Sequence, residues 1–291
     1  AYAADGGTLV ADTVQRMYSG TTKEGKPFSL QFDETGKLLS WIFDGKNLLA
    51  QGPDFNSMRD IDNDRSQLMQ QMPMTDHSET QLVAQSGDAN GYTLTVKGSA
   101  THCQYTTVYK IYPDGVVDMR VTFEPSGATR RLGLAMQFAD GFDGVEYYGR
   151  GPWSNYIDRK TGSYLGRYTT TVDEMIDENI HPQTFGDHQD LRELTLDNAN
   201  GLRLSVQTEG QVAFSLSHYD ERRWCDPADQ LWRDATHWYD LTREGKVYAH
   251  FDAWQQGLGN NSCGGDICLD KYLCPTSGAL GYTLRLTPSV R

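Results

Sequence analysis

Short runs of alternating apolar and polar residues, separated by turn residues, recur along the chain. The segment 28–32 alternates in this way, and a turn-forming stretch, residues 33–37, connects it to the apolar run 38–43. Alternation with a period of two is typical of a strand that buries one face. The pattern therefore predicts a β-hairpin over residues 28–43.

Two further hairpins are predicted downstream. The strand-like segment 106–112 is followed by the turn Pro113-Asp114-Gly115 and by the segment 116–123, which is rich in β-branched residues. The segments 202–206 and 212–216 alternate apolar and polar residues and are joined through a Glu-Gly turn. Each pair is interpreted as two antiparallel strands.

Helical periodicity is scarce, and the composition agrees with a strand-rich chain. Of 291 residues, 38% are hydrophobic, and 29 Gly and 16 Tyr suit many short strands joined by turns. We predict an all-β fold, a large antiparallel β-sandwich. No linker marks a boundary, so residues 1–291 are expected to form a single β-sandwich domain.

The charge balance excludes some partners. The chain carries 26 Lys and Arg against 39 Asp and Glu, a net charge of −13. No cluster of basic residues is dense enough to follow a phosphate backbone, so no nucleic acid partner is expected. No apolar run approaches the roughly 18 residues of a membrane span. Residues 1–10 lack the pattern of a secretory signal, so any export signal is expected outside this chain.

The cysteines do not predict a metal site. Three of the five fall within the last 30 residues, but their spacings lack the CxxC pairs of zinc ribbons. We interpret them as buried or loop thiols rather than metal ligands. The five are Cys103, Cys225, Cys263, Cys268 and Cys274.

One long segment identifies a family. Residues 147–162, YYGRGPWSNYIDRKTG, closely resemble a signature of the C-terminal domain of glycoside hydrolase family 2 β-galactosidases. Ser154 stands where that family usually has Glu. Three shorter stretches also match, in the order that the family has them, at residues 62–64, 181–183 and 257–264. We call residues 147–162 the signature segment.

The resemblance implies a fold and a role. Such domains are large β-sandwiches (supersandwiches) similar to galactose mutarotase, and they form the last domain or a separate small subunit of a bacterial β-galactosidase. That enzyme hydrolyses terminal β-D-galactosides, and its two catalytic carboxylates lie on a barrel domain. The chain alone is therefore expected to be inactive, with no catalytic residue of its own.

The same resemblance implies the partners. They are a catalytic barrel domain or large subunit and a β-galactoside substrate, and the full protein is expected to form a homo-oligomer. No cofactor is expected in this chain, because any metal ions would belong to the catalytic domain. The family leaves cytoplasm and periplasm open as locations.

The loop 257–264 is the main candidate for sugar contact. Gly257 and Gly259 permit a tight backbone path, and the amides of Asn260 and Asn261 suit sugar hydroxyls. From these residues alone a simple turn is the favoured interpretation. The resemblance favours sugar contact instead, because in the family this loop reaches the active site and lines the region where the leaving-group sugar binds.

The loop departs from the family at one position. Cys263 stands where relatives carry a Trp that stacks on the sugar, and Trp254 could supply a ring instead. The predicted substrate-binding residues are therefore Gly259, Asn260, Asn261, Cys263 and Trp254.

Other conspicuous residues are interpreted as structural. Asp158 and Arg159 are expected to form an ion pair or hydrogen-bond network that holds the signature segment. Most tryptophans are expected in the core or at an interface rather than as sugar platforms. Those considered are Trp153, Trp224, Trp232, Trp238 and Trp254.

Two alternative functions stay open. The chain could be a stand-alone carbohydrate-binding module that holds a glycan on a concave sheet face. Less favoured is an aldose 1-epimerase, which needs a general-base carboxylate and a general-acid histidine. The candidate histidines are His181, His188, His218, His237 and His250, none of which lies in a recognisable epimerase motif.

Overall fold

A computed structural model describes residues 2–61, 78–180, 182–221, 237–259 and 268–291. The described chain is built from antiparallel strands. They are β1 (Thr8–Asp12), β2 (Met17–Thr21), β3 (Pro27–Phe32), β4 (Leu38–Phe43), β5 (Lys46–Asn47), β6 (Leu49–Asn56), β7 (Glu79–Asp88), β8 (Gly91–Ala100), β9 (Cys103–Ile111), β10 (Val117–Pro125), β11 (Arg131–Phe138), β12 (Phe142–Gly151), β13 (Tyr164–Thr171), β14 (Glu193–Asn198), β15 (Leu202–Gly210), β16 (Ala213–Ser217), β17 (Val247–Gln255) and β18 (Leu280–Val290).

The strands form three sheets. A five-stranded sheet has the order β1-β2-β3-β4-β5, and a nine-stranded sheet has the order β13-β12-β14-β15-β18-β10-β9-β8-β7. A four-stranded sheet has the order β16-β17-β11-β6. Buried side chains from all three sheets join one continuous apolar core, so the predicted all-β antiparallel sandwich is confirmed.

The first two predicted hairpins are confirmed. Strands β3 and β4 pair antiparallel, and β9 pairs with β10 across the predicted turn. Gly115 adopts a φ of 82° in that turn, a left-handed conformation that glycine accepts without strain.

The third predicted hairpin is wrong. Strand β15 pairs with β14 and β18 in the nine-stranded sheet, whereas β16 pairs with β17 in the four-stranded sheet. The chain crosses between sheets just after Gly210, which has a φ of 101°. All five residues of β16 are buried, so the alternation that suggested a half-exposed hairpin does not describe it.

The four-stranded sheet is buried on both faces over β11, β16 and β17. On β17, Val247, Ala249, Phe251 and Ala253 belong to the apolar core. Because successive side chains of a strand point to opposite faces, the intervening residues lie on the other face. We call that second face, which is also buried, the outer face. It is polar, and the residues of the candidate site lie on it or at its end.

The described residues include three single-turn 3-10 helices, Asp173–Met175, Trp238–Asp240 and Asp270–Tyr272. No helix among the described residues has the length and apolarity of a membrane-spanning segment.

Candidate functional site

A fully buried arginine ties together the outer face of the four-stranded sheet. Arg131, at the start of β11, is 0% exposed. Its Nε donates to Asp252 Oδ2 at 2.6 Å, and its Nη1 donates to Glu221 Oε1 at 2.5 Å. Its Nη2 donates to Ser215 Oγ at 3.2 Å. One guanidinium thereby joins β11, β16, β17 and the segment after β16.

His250 extends this network to β6. Its Nε2 lies 3.1 Å from Glu221 Oε1, and its Nδ1 lies 3.1 Å from Asn56 Nδ2. With the Asn56 amide nitrogen as donor, Nδ1 accepts and Nε2 carries the proton that faces Glu221. We call Arg131, Asp252, Glu221, Ser215, His250 and Asn56 the polar network.

Burial governs the protonation of the acidic groups here. Burial lowers the pKa of the Arg131 guanidinium, but the carboxylates of Asp252 and Glu221 outweigh this and raise the pKa above its ordinary value. Burial also raises the pKa of Asp252 to about 6. The pKa of Asp187 is raised to about 8, first by burial and then by the neighbouring Asp252 carboxylate.

Strand β17 runs directly from the polar network into the loop 257–264. Arg59 holds the first residues of that loop, because its guanidinium donates to the carbonyl oxygen of Gln256 and, at 3.2 Å, to that of Gly257. The Gly257 N–H donates to the Tyr272 carbonyl oxygen at 3.1 Å. Arg59 is 7% exposed, so these bonds are buried.

The signature segment makes the most direct contact with the loop. Asp158 Oδ1 accepts the N–H of Leu258 at 3.1 Å, and Oδ2 accepts the N–H of Gly259 at 2.8 Å. Two backbone N–H groups that donate to one carboxylate fix the positions of the carboxylate and of the loop backbone. Hydrogen bonds to a carboxylate are stronger than those to a neutral acceptor. We call this arrangement the Asp158 clamp.

Two further features complete the clamp. Arg159 Nη2 donates to the Gly259 carbonyl oxygen at 3.0 Å, so neighbouring residues of the signature segment hold both polar groups of Gly259. A Cβ on Gly257 would lie 2.6 Å from Asp158 Cγ, closer than real Cβ contacts. Gly257 is therefore required by the close approach of the clamp, and Gly259 by its φ of 78°.

Asn155 connects the signature segment to the interior. It is 0% exposed, and its Nδ2 donates to the carbonyl oxygens of Arg150 and Trp153 at 3.0 Å each. Its N–H donates to the Asp187 carbonyl oxygen at 2.7 Å, and its Oδ1 accepts the Gln189 N–H at 3.0 Å. The segment that carries Asp187 is therefore fixed to the signature segment by its backbone.

Ser154 donates a hydrogen bond to Asp177, which an ionised Glu, the family's usual residue at this position, could not do. Its hydroxyl donates to Asp177 Oδ1 at 2.8 Å, and Asp177 Oδ2 accepts the Gly186 N–H at 3.0 Å. A carboxylate at position 154 would face Asp177 with like charge.

The structure describes part of the predicted site. Gly259 lies in the Asp158 clamp, and Trp254 lies half-buried on β17, two residues before Gln256. The buried indole N–H of Trp254 has no hydrogen-bond partner among the described residues. The other predicted residues, Asn260, Asn261 and Cys263, lie outside the described residues, as do 62–64, His181, Trp224 and Trp232. Their roles stay predictions.

Several sequence expectations are corrected or refined. Asp158 and Arg159 do form a hydrogen-bond network, and it reaches Leu258 and Gly259 rather than only the signature segment. Trp153 is 73% exposed and therefore not a core residue. Arg59 and Arg131 were missed, because charged residues beside a strand give no sequence sign of burial.

The candidate histidines that the structure describes have polar partners. His188 and His218 are both buried, and ring nitrogens of each lie within hydrogen-bond distance of backbone oxygens, those of Gly186 and Lys246 respectively. His237 Nδ1 lies 3.3 Å from Asp240 Oδ2. Hydrogen-bonded scaffold histidines are the commoner kind on strands, and His250 belongs to the polar network.

Cysteines and one acidic cluster are the candidate metal ligands among the described residues. The thiols of Cys103, Cys268 and Cys274 are buried, and the other two cysteines lie outside the described ranges. Ligand atoms of Asp143, Asp173 and His218 lie within 4.8 Å of one another. Arg243 already pairs with Asp173 at 2.8 Å, and His218 Nε2 lies 3.4 Å from Asp143 Oδ1, so these groups already have partners within the protein.

The polar network is suited to support rather than to glycoside cleavage. A retaining glycosidase needs two carboxyl groups that can reach the sugar. Asp252 is 0% exposed and Glu221 is 7% exposed, and both are bonded to the same guanidinium. What this arrangement can do is fix the end of β17 and the start of the loop 257–264.

Fold and site together define a β-sandwich in which the signature segment bonds to Leu258 and Gly259, just after β17. Residues 24–286 match a protein-family model described as beta galactosidase small chain. This chain belongs to the β-galactosidase small-chain family.

The chain is also similar to curated β-galactosidases. It is 27% identical over 263 residues to a β-galactosidase of Priestia megaterium, which covers 86% of this chain and 24% of that protein. It is 31% identical over 180 residues to one of Lactococcus lactis, covering 60% and 16% respectively. The chain thus spans a quarter or less of the length of these relatives.

Among solved structures, the chain is similar to a GalM/aldose epimerase homologue from C. elegans. The TM-score is 0.45 at 10% sequence identity, over 98% of this chain and 99% of that one.

Proposed function

We propose that this chain is the non-catalytic part of a β-galactosidase and that it completes the aglycone side of the sugar site with the loop 257–264. The catalytic carboxylates lie on a separate barrel part, to which this chain binds. Family membership supports the association with β-galactosidase activity. The short share of the relatives' length supports a larger catalytic partner.

The Asp158 clamp is the observation that carries the proposal. The segment by which the family is recognised bonds, across about a hundred residues of sequence, to the backbone of the loop expected to meet the sugar. A loop that touches substrate must be held close to its productive position, because small displacements are costly for rate. The clamp, Arg59 and the polar network supply that support.

Gly259, Asn260 and Asn261 would offer backbone and amide groups to the leaving-group sugar. Cys263 in place of a stacking Trp would leave a wider subsite, in which Trp254 is the nearest alternative ring in sequence. The substrate itself, a terminal β-D-galactoside, belongs to the assembled enzyme, meaning this chain together with its catalytic part.

Complementation tests the proposal. A chromogenic β-galactoside is offered to the chain alone, to the catalytic part alone and to the mixture. We expect turnover in the mixture alone, or a rate in the mixture at least tenfold above that of either part alone. Clear turnover by this chain alone, or full activity of the catalytic part without it, would refute the proposal.

A further inference from the structure

A cleft of about 440 Å³ lies between the signature segment and β13. Its volume falls within the range of small-molecule sites. The described residues that line it come from β12, β13, the signature segment, the stretch 174–177 and His188. They include Tyr147, Trp153, Tyr168, Glu174, Asp177 and His188.

Aromatic side chains line the cleft. The rings of Tyr147 and Tyr168 lie 5.1 Å apart at 31°, and the nearly buried Tyr147 and His188 rings meet edge to face. At the rim, the indole of Trp153 is 73% exposed. An exposed indole beside a cleft offers a broad apolar face, which suits the C–H face of a pyranose ring.

The polar groups of the cleft are hydrogen-bond acceptors held in place. Asp177 is fixed by the Ser154 hydroxyl and the Gly186 N–H. Glu174 Oε2 accepts from the Thr170 hydroxyl at 2.8 Å and from the Thr171 N–H at 3.2 Å. Each carboxylate keeps further lone pairs for a ligand that donates hydrogen bonds.

The lining also excludes ligand classes. Its described residues include two carboxylates and no Lys or Arg, which disfavours phosphates and acidic sugars. A neutral sugar donates hydroxyl hydrogens to carboxylates and presents a C–H face to an indole. We propose that this cleft is a second carbohydrate-binding site, which takes one neutral hexopyranose unit of a glycan against Trp153.

The proposal does not rest on the loop 257–264 or on the catalytic part, so it is tested on the full chain alone. D-galactose and lactose are titrated and followed by saturation-transfer difference NMR. We expect saturable binding with a dissociation constant on the order of a few millimolar, typical of a ligand this small. Protons on the C–H face should receive the most saturation.

Variants locate the site. Trp153→Ala should weaken binding at least tenfold, and Glu174→Gln should weaken it severalfold. Tyr239→Ala is the matched control, because Tyr239 is 65% exposed but lies outside the cleft, and binding should be unchanged. Asp158→Asn disturbs the start of the loop 257–264 and tells whether the sugar binds at that loop instead.

Four results would overturn the proposal. The first is the absence of binding up to about 50 mM sugar, which is roughly ten times the expected dissociation constant. The second is sugar binding that Trp153→Ala leaves intact. The third is sugar binding that Asp158→Asn abolishes, because that result would place the sugar at the loop 257–264. The fourth is binding of choline with none of sugar, because two carboxylates beside an indole could also accept a cation.

Discussion

The interior of the nine-stranded sheet and the outer face of the four-stranded sheet are buried in different ways. The first is filled by side chains such as Phe123, Leu204 and Leu284, each 0% exposed. The second buries Arg131 and Asp252, also 0% exposed, within the polar network. Apolar burial stabilises a fold directly, whereas buried ion pairs contribute little net stability after desolvation.

The difference indicates what each region does. The apolar interior needs only hydrophobic residues of suitable size, alternating along strands. The polar network demands specific partners from β6, β11, β16 and β17, and it lies where β17 enters the loop 257–264. We infer that it positions that loop, a role in which directional bonds matter more than net stability.

The largest expected effect comes from Arg131→Met. This substitution leaves the carboxylates of Asp252 and Glu221 buried without their cation. Removing one partner of a buried ion pair lowers the free energy of unfolding by about 3–5 kcal/mol. Chemical denaturation of the chain measures this change. Arg243→Met is the control, because the Arg243–Asp173 pair is about half exposed and should contribute about 0–1 kcal/mol. Equal effects would show that the buried network is no more coupled than a surface pair.

A smaller effect is expected from Gly257→Ala. The added Cβ would meet Asp158 Cγ at 2.6 Å, and such crowding typically costs about 1–3 kcal/mol. Gly162→Ala is the matched control, because no heavy atom lies within 4 Å of the place its Cβ would occupy, and it should stay within about 0.5 kcal/mol of wild type. If both variants unfold like wild type, the close approach of clamp and loop is not present in solution.

The polar region also differs from the apolar region in making the free energy of unfolding depend on pH. The native state keeps the Asp187 proton up to about pH 8, whereas the unfolded chain loses it near its ordinary pKa of 3.8. Stability therefore falls as pH rises between these values, with a slope of at most about 1.4 kcal/mol per pH unit for this group. Asp252, with a pKa of about 6, adds to the slope only in the lower part of the window.

Asp187→Asn should flatten the stability curve between pH 6 and 8. Asp190→Asn is the control: burial raises the pKa of Asp190, but Arg150 and Lys160 outweigh this and hold it below its ordinary value. Asp190 therefore does not titrate in this window. Urea unfolding at several pH values measures both, and an unchanged slope in Asp187→Asn would contradict the assignment.

The sequence predicted the apolar region well and the polar region poorly. The hairpins of β3 with β4 and of β9 with β10 followed from local alternation and turn residues. The predicted pairing of β15 with β16 failed, because tertiary burial of β16 on both faces overrides the local pattern.

The site shows the same limit. Asp158 was recognised as a structural residue, but its partners, Leu258 and Gly259, lie a hundred residues further along the chain. Arg131 and Arg59 look like ordinary surface residues until the fold encloses them. Contacts between residues so distant in sequence depend on topology, which a local pattern does not encode.

The central claim, that the signature segment positions the loop proposed to contact the sugar, is tested by Asp158→Asn in the assembled enzyme. The asparagine loses one acceptor and turns an NH₂ group toward a backbone N–H. We predict that kcat/KM for β-galactosides falls about tenfold to a hundredfold, because a displacement near 1 Å can cost that much. Asp118→Asn, which alters an ion pair on the nine-stranded sheet, should leave kcat/KM unchanged. A value for Asp158→Asn within about twofold of wild type, well under 1 kcal/mol in the barrier, would contradict the claim.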